Sequence, residues 1–289
     1  MRTLAIIVLY NPSLDELMIT IKDLTAFNIN ICLVDNSEIF NDFSDYAIFD
    51  NLSVIRNSSN LGIAQAQNIG VMHGISIYDS FLFLDQDSSL SSNFVIDSLD
   101  FLNNPDMLVQ VPIVKNKFTN TIYPASVINE YGLPHKVLVD SCQKYQKIDI
   151  GISSGTIVKS EVFKLNILFK EFLFIDFVDI EWFLNCRKNS IDVYQNNKIY
   201  LLHLIGGESV KILNRHILVH NENRIYYKTR NSFLLFRLGY SNIYVLHQVI
   251  SSLILNALNI ILLNNKYHAL KMYSKGIWHG LLNKGGKQI

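Results

Sequence analysis

Four short apolar runs occupy the first 90 residues, and each gives way at once to polar residues: LAIIVLY (4–10), NICLVDNS (30–37), LSVIRN (52–57) and FLFL (81–84). A continuous, β-branched apolar run is typical of a strand covered on both faces. Helical signals fall between the runs. Ser13-x-x-Glu16 reads as a capping box opening a helix through about Leu24. LGIAQAQNIGVMHGI (61–75) reads as a helix with Gly62, Ala66 and Gly70 at four-residue spacing, small enough for close approach to a sheet or ligand. Ser91 or Ser92 is placed to cap the helix after the fourth run. Strand–helix alternation of this kind predicts an α/β fold with a doubly wound, mostly parallel sheet. Ligands of such sheets sit beyond the carboxyl ends of the strands. Tyr10, Asp35, Asn60, Asp85 and Asp87 all fall at those ends.

A chain of 289 residues suits one large domain, or a domain with an appendage. Apolar residues make up 49% and charged residues 17%, with a mean hydropathy of +0.20, so some apolar surface is expected outside the main core. The charge is segregated. No Asp or Glu follows Glu222, whereas nine Lys and Arg do, leaving 16 basic against 25 acidic residues before them. A tail both basic and apolar fits an anionic membrane surface. Three cysteines without a CxxC pair fit a reducing compartment. The apolar run at the N-terminus lacks a small-residue cleavage site, and a cytoplasmic protein is expected. No GxGxxG follows the first run and no GxxxxGK[ST] occurs, which counts against dinucleotide and P-loop sites. The absence of CxxC and HExxH counts against zinc chemistry, and no nucleic-acid partner is expected.

Three constellations carry chemistry. Asp85-Gln86-Asp87 follows the fourth run, and residues two apart in an extended segment point the same way. Two hard oxygen donors so placed suit Mg2+ or Mn2+ that keeps waters and grips a diphosphate, although a bare D-x-D also occurs in surface loops. FLFIDFVDIEWFLNCR (172–187) sets Asp176, Asp179 and Glu181 among aromatics. A helix beginning near Asp179 would stabilise its carboxylate, leaving a general base for an alcohol. The competing reading is an acidic first turn with Trp182 in the core. In LLHLIGG (201–207), His203 is either a ligand for a divalent metal or a satisfied core histidine.

Taken in order, VLYNP, LVDNS, NLGIAQAQNIGV, FLFLDQDS, ISSG, FIDFVDIEW, HLIGG and HNENRIYYKTRN resemble the bacterial family-2 glycosyltransferases, above all their rhamnosyltransferase-like branch. The resemblance runs to the GIWHGLLNKGGK ending. It implies a GT-A fold over residues 1–215, with a nucleotide-binding half at about 1–110 and an acceptor half at about 111–215. A basic, apolar helical region would follow over 216–289. Tyr10, Asp35 and Asn60 resemble nucleoside contacts. Asp85 and Asp87 resemble the diphosphate–metal motif, with Asp87 the direct ligand, and His203 matches the family's metal-binding histidine. Asp179 matches the catalytic base. Gly151 to Gly155, including Ser154 and Gly155, resembles the sugar-pocket loop, and Trp182 with Glu181 falls on the acceptor side. One departure is Asn185, where the family commonly has Arg; Arg187 lies two places on.

The activity so implied is metal-dependent transfer of L-rhamnose from dTDP-β-L-rhamnose, with inversion, to a polyprenyl-diphosphate-linked glycan in O-antigen or capsule synthesis. A UDP-linked hexose or galactofuranose donor, or a non-catalytic sugar-nucleotide-binding module, is the alternative. IYVLHQVISSLILNALNIILL (243–263) is long enough to cross a bilayer. Its polar residues His247, Gln248, Ser251, Ser252, Asn256 and Asn259 form one stripe at helical spacing. A stripe predicts a helix lying in the interface or packed on protein, hence peripheral attachment to the inner leaflet, with homo-oligomerisation as the competing use.

Overall fold

Alternate residues of the first strand, β1 (Thr3–Leu9), enter two different cores, which is why its sequence is apolar without a break. Leu4 and Ile6 face one side, Ala5, Ile7 and Leu9 the other. In the computed structural model, residues 1–288 are described except 92, 118–119, 204–208 and 213–214, with side chains also left out at 203, 209–212 and 215–218. β1, β2 (Asn30–Asp35), β3 (Leu52–Arg56) and β4 (Ser80–Asp85) run parallel in the order β4-β1-β2-β3, joined through α1 (Leu14–Thr25) and α2 (Ile63–Gly74). Val8 stands opposite Asp85, Leu9 opposite Asp35, and Asp35 opposite Arg56, so these strands end along one rim.

After β5 (Ser89–Leu90) and α3 (Phe94–Leu99) come β6 (Val109–Asn116), β7 (Ile122–Tyr123), β8 (Ser126–Ile128), β9 (Pro134–Lys136), β10 (Tyr145–Ile148) and β11 (Ile157–Lys159). Then follow α4 (Ser160–Lys164), α5 (Val178–Lys188) and β12 (Val193–His203). The sheet runs β10-β12-β6-β11-β4-β1-β2-β3, with β11 antiparallel to both neighbours. A hairpin, β13 (Ser209–Ile212) and β14 (Arg215–Leu218), leads to α6 (Glu222–Leu234), α7 (Asn242–Leu262) and α8 (Lys266–Leu281). The division expected near residue 215 falls inside that hairpin.

Two expected caps are not made. Ser13 is the N-cap of α1, but its side chain makes no capping hydrogen bond. The cap of α3 is Asn93, also without a side-chain bond, rather than Ser91; Ser92 lies outside the described residues. Both helices are held by burial instead: Leu17, Ile21 and Leu24 of α1 are fully buried.

The helices α6 to α8 are tied into the α/β body. Fully buried Arg230 donates to the carbonyls of Gly286 and Leu173 at 2.6 and 2.9 Å. On α7 the polar stripe turns inward. Ser252 Oγ donates to the Lys228 carbonyl, Asn256 Nδ2 to Thr229 Oγ1, and Asn259 Oδ1 accepts the His220 N–H. The opposite face leaves Leu246, Ile250, Ile254 and Ile261 exposed. By length and mean hydropathy (1.8) α7 could cross a membrane.

Gly62 opens α2 at φ +85°, and a Cβ there would lie 2.5 Å from the Phe174 carbonyl oxygen. That carbonyl also accepts the Ile63 N–H at 2.8 Å. Gly62→Ala therefore combines a left-handed backbone with a backbone clash, and is expected to cost about 2 kcal/mol or more. Urea denaturation of the variant would measure it; an unchanged midpoint would show that the contact yields freely.

Candidate active site

The turn after β4 is fastened from both sides. The Asp85 N–H lies 3.2 Å from both Ser88 Oγ and Ser154 Oγ, and those hydroxyls are 2.8 Å apart. Gln86 exchanges two bonds with the Tyr10 backbone, accepting its N–H at 2.8 Å and donating to its carbonyl at 3.2 Å. Asp85, Gln86 and Asp87 thus reach a cavity of about 830 Å3 beyond the carboxyl end of the strand. Its other walls come from Ile152 and Ser153, from residues 175–180, from His220, Arg224 and Lys228, and from the polar stripe of α7.

The second acidic segment reaches the cavity through a strained turn. Phe174, Asp176 and Phe177 have φ of +66°, +60° and +63°, the left-handed region that side chains other than glycine seldom adopt. Asn231 Nδ2 holds the turn, lying 2.9, 2.8 and 2.8 Å from the carbonyls of Leu173, Ile175 and Asp176. The Asp176 side chain, only 4% exposed, pairs with Arg224 at 2.6 Å. Helix α5 starts immediately afterwards. Asp179, in its first turn, accepts the Ile180 N–H at 2.9 Å on the cavity wall. Burial pushes the Asp179 carboxyl up to about 6 against that hydrogen bond, with the like charges of Asp176 and Asp85 adding to the rise. A carboxyl so tuned can take a proton from a hydroxyl near neutral pH.

The expected site residues divide into three groups. Asp85, Asp87 and Asp179 line one cavity. Tyr10, Asp35 and Asn60 lie along the strand-end rim but outside the cavity lining. Asp35 accepts the Ser37 N–H at 3.0 Å and is bonded by Asn41, while Asn60 Oδ1 accepts the Gly62 N–H at 2.9 Å. The third group departs from expectation. Ser154 is buried as a brace for the Asp85 turn, and a Cβ on Gly155 would meet Pro112 Cγ at 2.6 Å, so Ile152 and Ser153 form the wall instead. Trp182, expected on the acceptor side, does not line the cavity. It is 1% exposed, stacked on Phe163 and Phe169, and donates Nε1–H to the Ile167 carbonyl. Glu181 is likewise in the core, accepting from Tyr240 at 2.5 Å, with burial raising its carboxyl to about 7. Arg187 pairs with Asp149 at 2.9 Å rather than with Glu181.

His203 ends β12, where Leu202 stands opposite Ser89, so its backbone comes beside the Asp87–Ser89 turn. Its side chain, and all of Gly206 and Gly207, lie outside the description. Among the described residues no three His, Cys, Asp or Glu side chains are grouped closely enough to hold a metal ion. Asp85 and Asp87 alone nonetheless fit Mg2+ or Mn2+: they are hard oxygen donors on one turn, facing a cavity with room for waters and a phosphorylated ligand. Sequence reasoning missed His220, Arg224 and Lys228. Their four-residue spacing in HNENRIYYKTRN was the available signal, since it aligns them on one helical face.

Residues 4–165 match the sequence model of the family described as glycosyl transferase family 2. The chain is 33% identical over 287 residues to the dTDP-rhamnosyl transferase RfbF of Shigella flexneri, covering 98% of this chain and 97% of that one. Among solved structures it is similar to GalNAc-T7 crystallised with UDP, GalNAc and Mn2+. That likeness has a TM-score of 0.59 at 13% identity, over 97% of this chain and 56% of the other. It is also similar to residues 1–349 of S. aureus TarS with UDP-GlcNAc, with a TM-score of 0.53 at 13% identity, over 98% and 93%. At such identities these two structures bear on the fold alone, and both share it.

Mn2+ is expected to bind at the Asp85–Asp87 turn. Asp87→Ala should weaken that binding by about tenfold or more, measured by calorimetry or electron paramagnetic resonance. Equal affinity in the variant would move the cation elsewhere.

Proposed function

The chain belongs to glycosyl transferase family 2, and from that premise we propose that it transfers L-rhamnose from dTDP-β-L-rhamnose, with inversion, to a hydroxyl of a lipid-diphosphate-linked glycan. The observation that carries this reading is that Asp85, Asp87 and Asp179, from segments about 90 residues apart in sequence, line a single cavity. Similarity over nearly the full length to a dTDP-rhamnosyl transferase supports the donor.

Asp85 and Asp87, with His203, would hold Mg2+ or Mn2+. That cation, when bound, stabilises charge on the departing diphosphate. Asp179 takes the proton of the acceptor hydroxyl. The oxygen attacks the anomeric carbon from the face opposite the nucleotide, and the bond to dTDP breaks with its electron pair leaving on the diphosphate. A single displacement gives an α-L-rhamnoside with no sugar–enzyme bond. The strained turn at 174–177 and the α5 N-terminus fix Asp179 for this step, and Arg224 neutralises Asp176 beside it.

The inward polar stripe of α7 leaves an apolar outer face, and α8 adds exposed Leu270, Trp278 and Leu281 together with Lys266, Lys271 and Lys275. A helix apolar outside and bordered by lysines suits peripheral attachment to an anionic cytoplasmic leaflet. Carbonate washing should release the protein from membranes; a carbonate-resistant pellet would indicate a spanning helix.

Transfer assays comparing dTDP-rhamnose with UDP-sugars, with and without EDTA, test the donor and the metal directly. Asp179→Asn should lower turnover by about 10²–10⁴-fold while leaving dTDP affinity unchanged. Turnover close to wild type would remove Asp179 from the reaction. The working form of Asp179 is the carboxylate, raised above its usual range, so activity should be present above about pH 6 and fall as pH drops through that value. A bound cation would lower this limb. A pH profile of kcat locates it, and a limb well above pH 7 would point to a different base.

A further inference from the structure

The cavity has a basic pole facing its acidic one. His220, Arg224 and Lys228 line it from α6 and the residue before its cap. Arg224 is committed to Asp176. Lys228 is not: its Nζ lies 2.6 Å from His220 Nε2, and among the described residues it makes no ion pair with a carboxylate. Burial lowers the Lys228 ammonium and, with the neighbouring cations, pushes His220 down to about 4, so the imidazole is neutral and its Nε2 accepts from Lys228. The ring proton then sits on Nδ1. His220 is 7% exposed, and its Nδ1 is buried with no hydrogen-bond partner. A buried cation thus stands at the cavity with a neutral imidazole as its hydrogen-bond partner, the carboxylates of Asp176 and Asp179 near it but not paired with it, and the imidazole's Nδ1 unsatisfied. Such an arrangement is costly unless a ligand completes it.

We propose that Lys228 and His220 form a phosphoryl-binding subsite for the acceptor, taking the diphosphate that joins the acceptor glycan to its lipid. This rests on the reading of the chain as a transferase acting on a lipid-linked glycan. The donor's phosphates are served from the other pole, by the cation expected at Asp85 and Asp87. The basic pole is instead built on α6 and backed by α7. The outer face of α7 is the exposed apolar surface of Leu246, Ile250 and Ile254, where a prenyl chain leaving the cavity can lie. A cavity of about 830 Å3 has room for both ligands. The attacked hydroxyl would meet Asp179 while the phosphates of the same molecule meet Lys228.

The test separates the two sources of phosphate. Geranyl diphosphate is titrated calorimetrically into EDTA-treated full-length protein, and dTDP is titrated in parallel with Mn2+ present. Lys228→Met should weaken geranyl diphosphate by about tenfold or more, whereas Lys228→Arg, which keeps the charge, should largely retain it. Both variants should bind dTDP with Mn2+ as wild type does, which also shows that they fold. In transfer assays, Lys228→Met should raise the KM of a diphosphate-linked acceptor but not that of the same sugar as an alkyl glycoside. The subsite is overturned if wild type does not bind geranyl diphosphate or if Lys228→Met binds it equally well. It passes to the donor, against this proposal, if dTDP binding falls in step. Failure of wild type to transfer rhamnose would count against the function proposed above while leaving the calorimetric result intact.

Discussion

Asn231 places one side-chain amide against three backbone carbonyls, those of Leu173, Ile175 and Asp176. A turn that holds three non-glycine residues at positive φ costs about 1–3 kcal/mol for each, and it persists only when its surroundings leave it no alternative. Fully buried Asn231 supplies that constraint, with Arg230 beside it on the Leu173 carbonyl and Arg224 on the Asp176 carboxylate. The turn in turn fixes where α5 begins, and hence where Asp179 lies. The same Phe174 carbonyl receives the first amide of α2 across Gly62. One irregular segment therefore locks α2, the helix bearing Asp179 and the C-terminal helices into a single arrangement.

Asp179 shows how competing forces set a usable carboxyl. Removal from water and the nearby charges of Asp176 and Asp85 favour the protonated form, while the Ile180 amide at the helix start favours the anion. Burial wins, and the group titrates near 6. Arg224 pairs with Asp176 and offsets part of that neighbour's charge, so its push on Asp179 is smaller than that of burial.

Much of this was legible in the sequence wherever one residue's position follows from a repeating pattern. The uninterrupted apolar strands imply two covered faces, and the structure has a core on each. The rim residues follow from where those strands stop. Asp179 could be placed because a helix start is a local event. Glu181 and Trp182 could not, since their side depends on the angle of α5 against the sheet. Glu181, two positions on, points roughly 200° around the helix from Asp179 and so into protein. The family resemblance places Ser154 in a sugar-pocket loop, but its hydroxyl is taken by Ser88 and the Asp85 amide, a contact between distant segments that no local pattern announces. The polar stripe of α7 was visible as a stripe; that it would close a cavity depends on α6, about 25 residues earlier in the chain, and on no local signal.

Helix α7 has the cavity on one side and bare hydrocarbon on the other. The cavity wall and the exposed apolar surface are thus two faces of one helix, so whatever settles on the outer face lies no further from the cavity than that helix is thick, about 10–12 Å with its side chains.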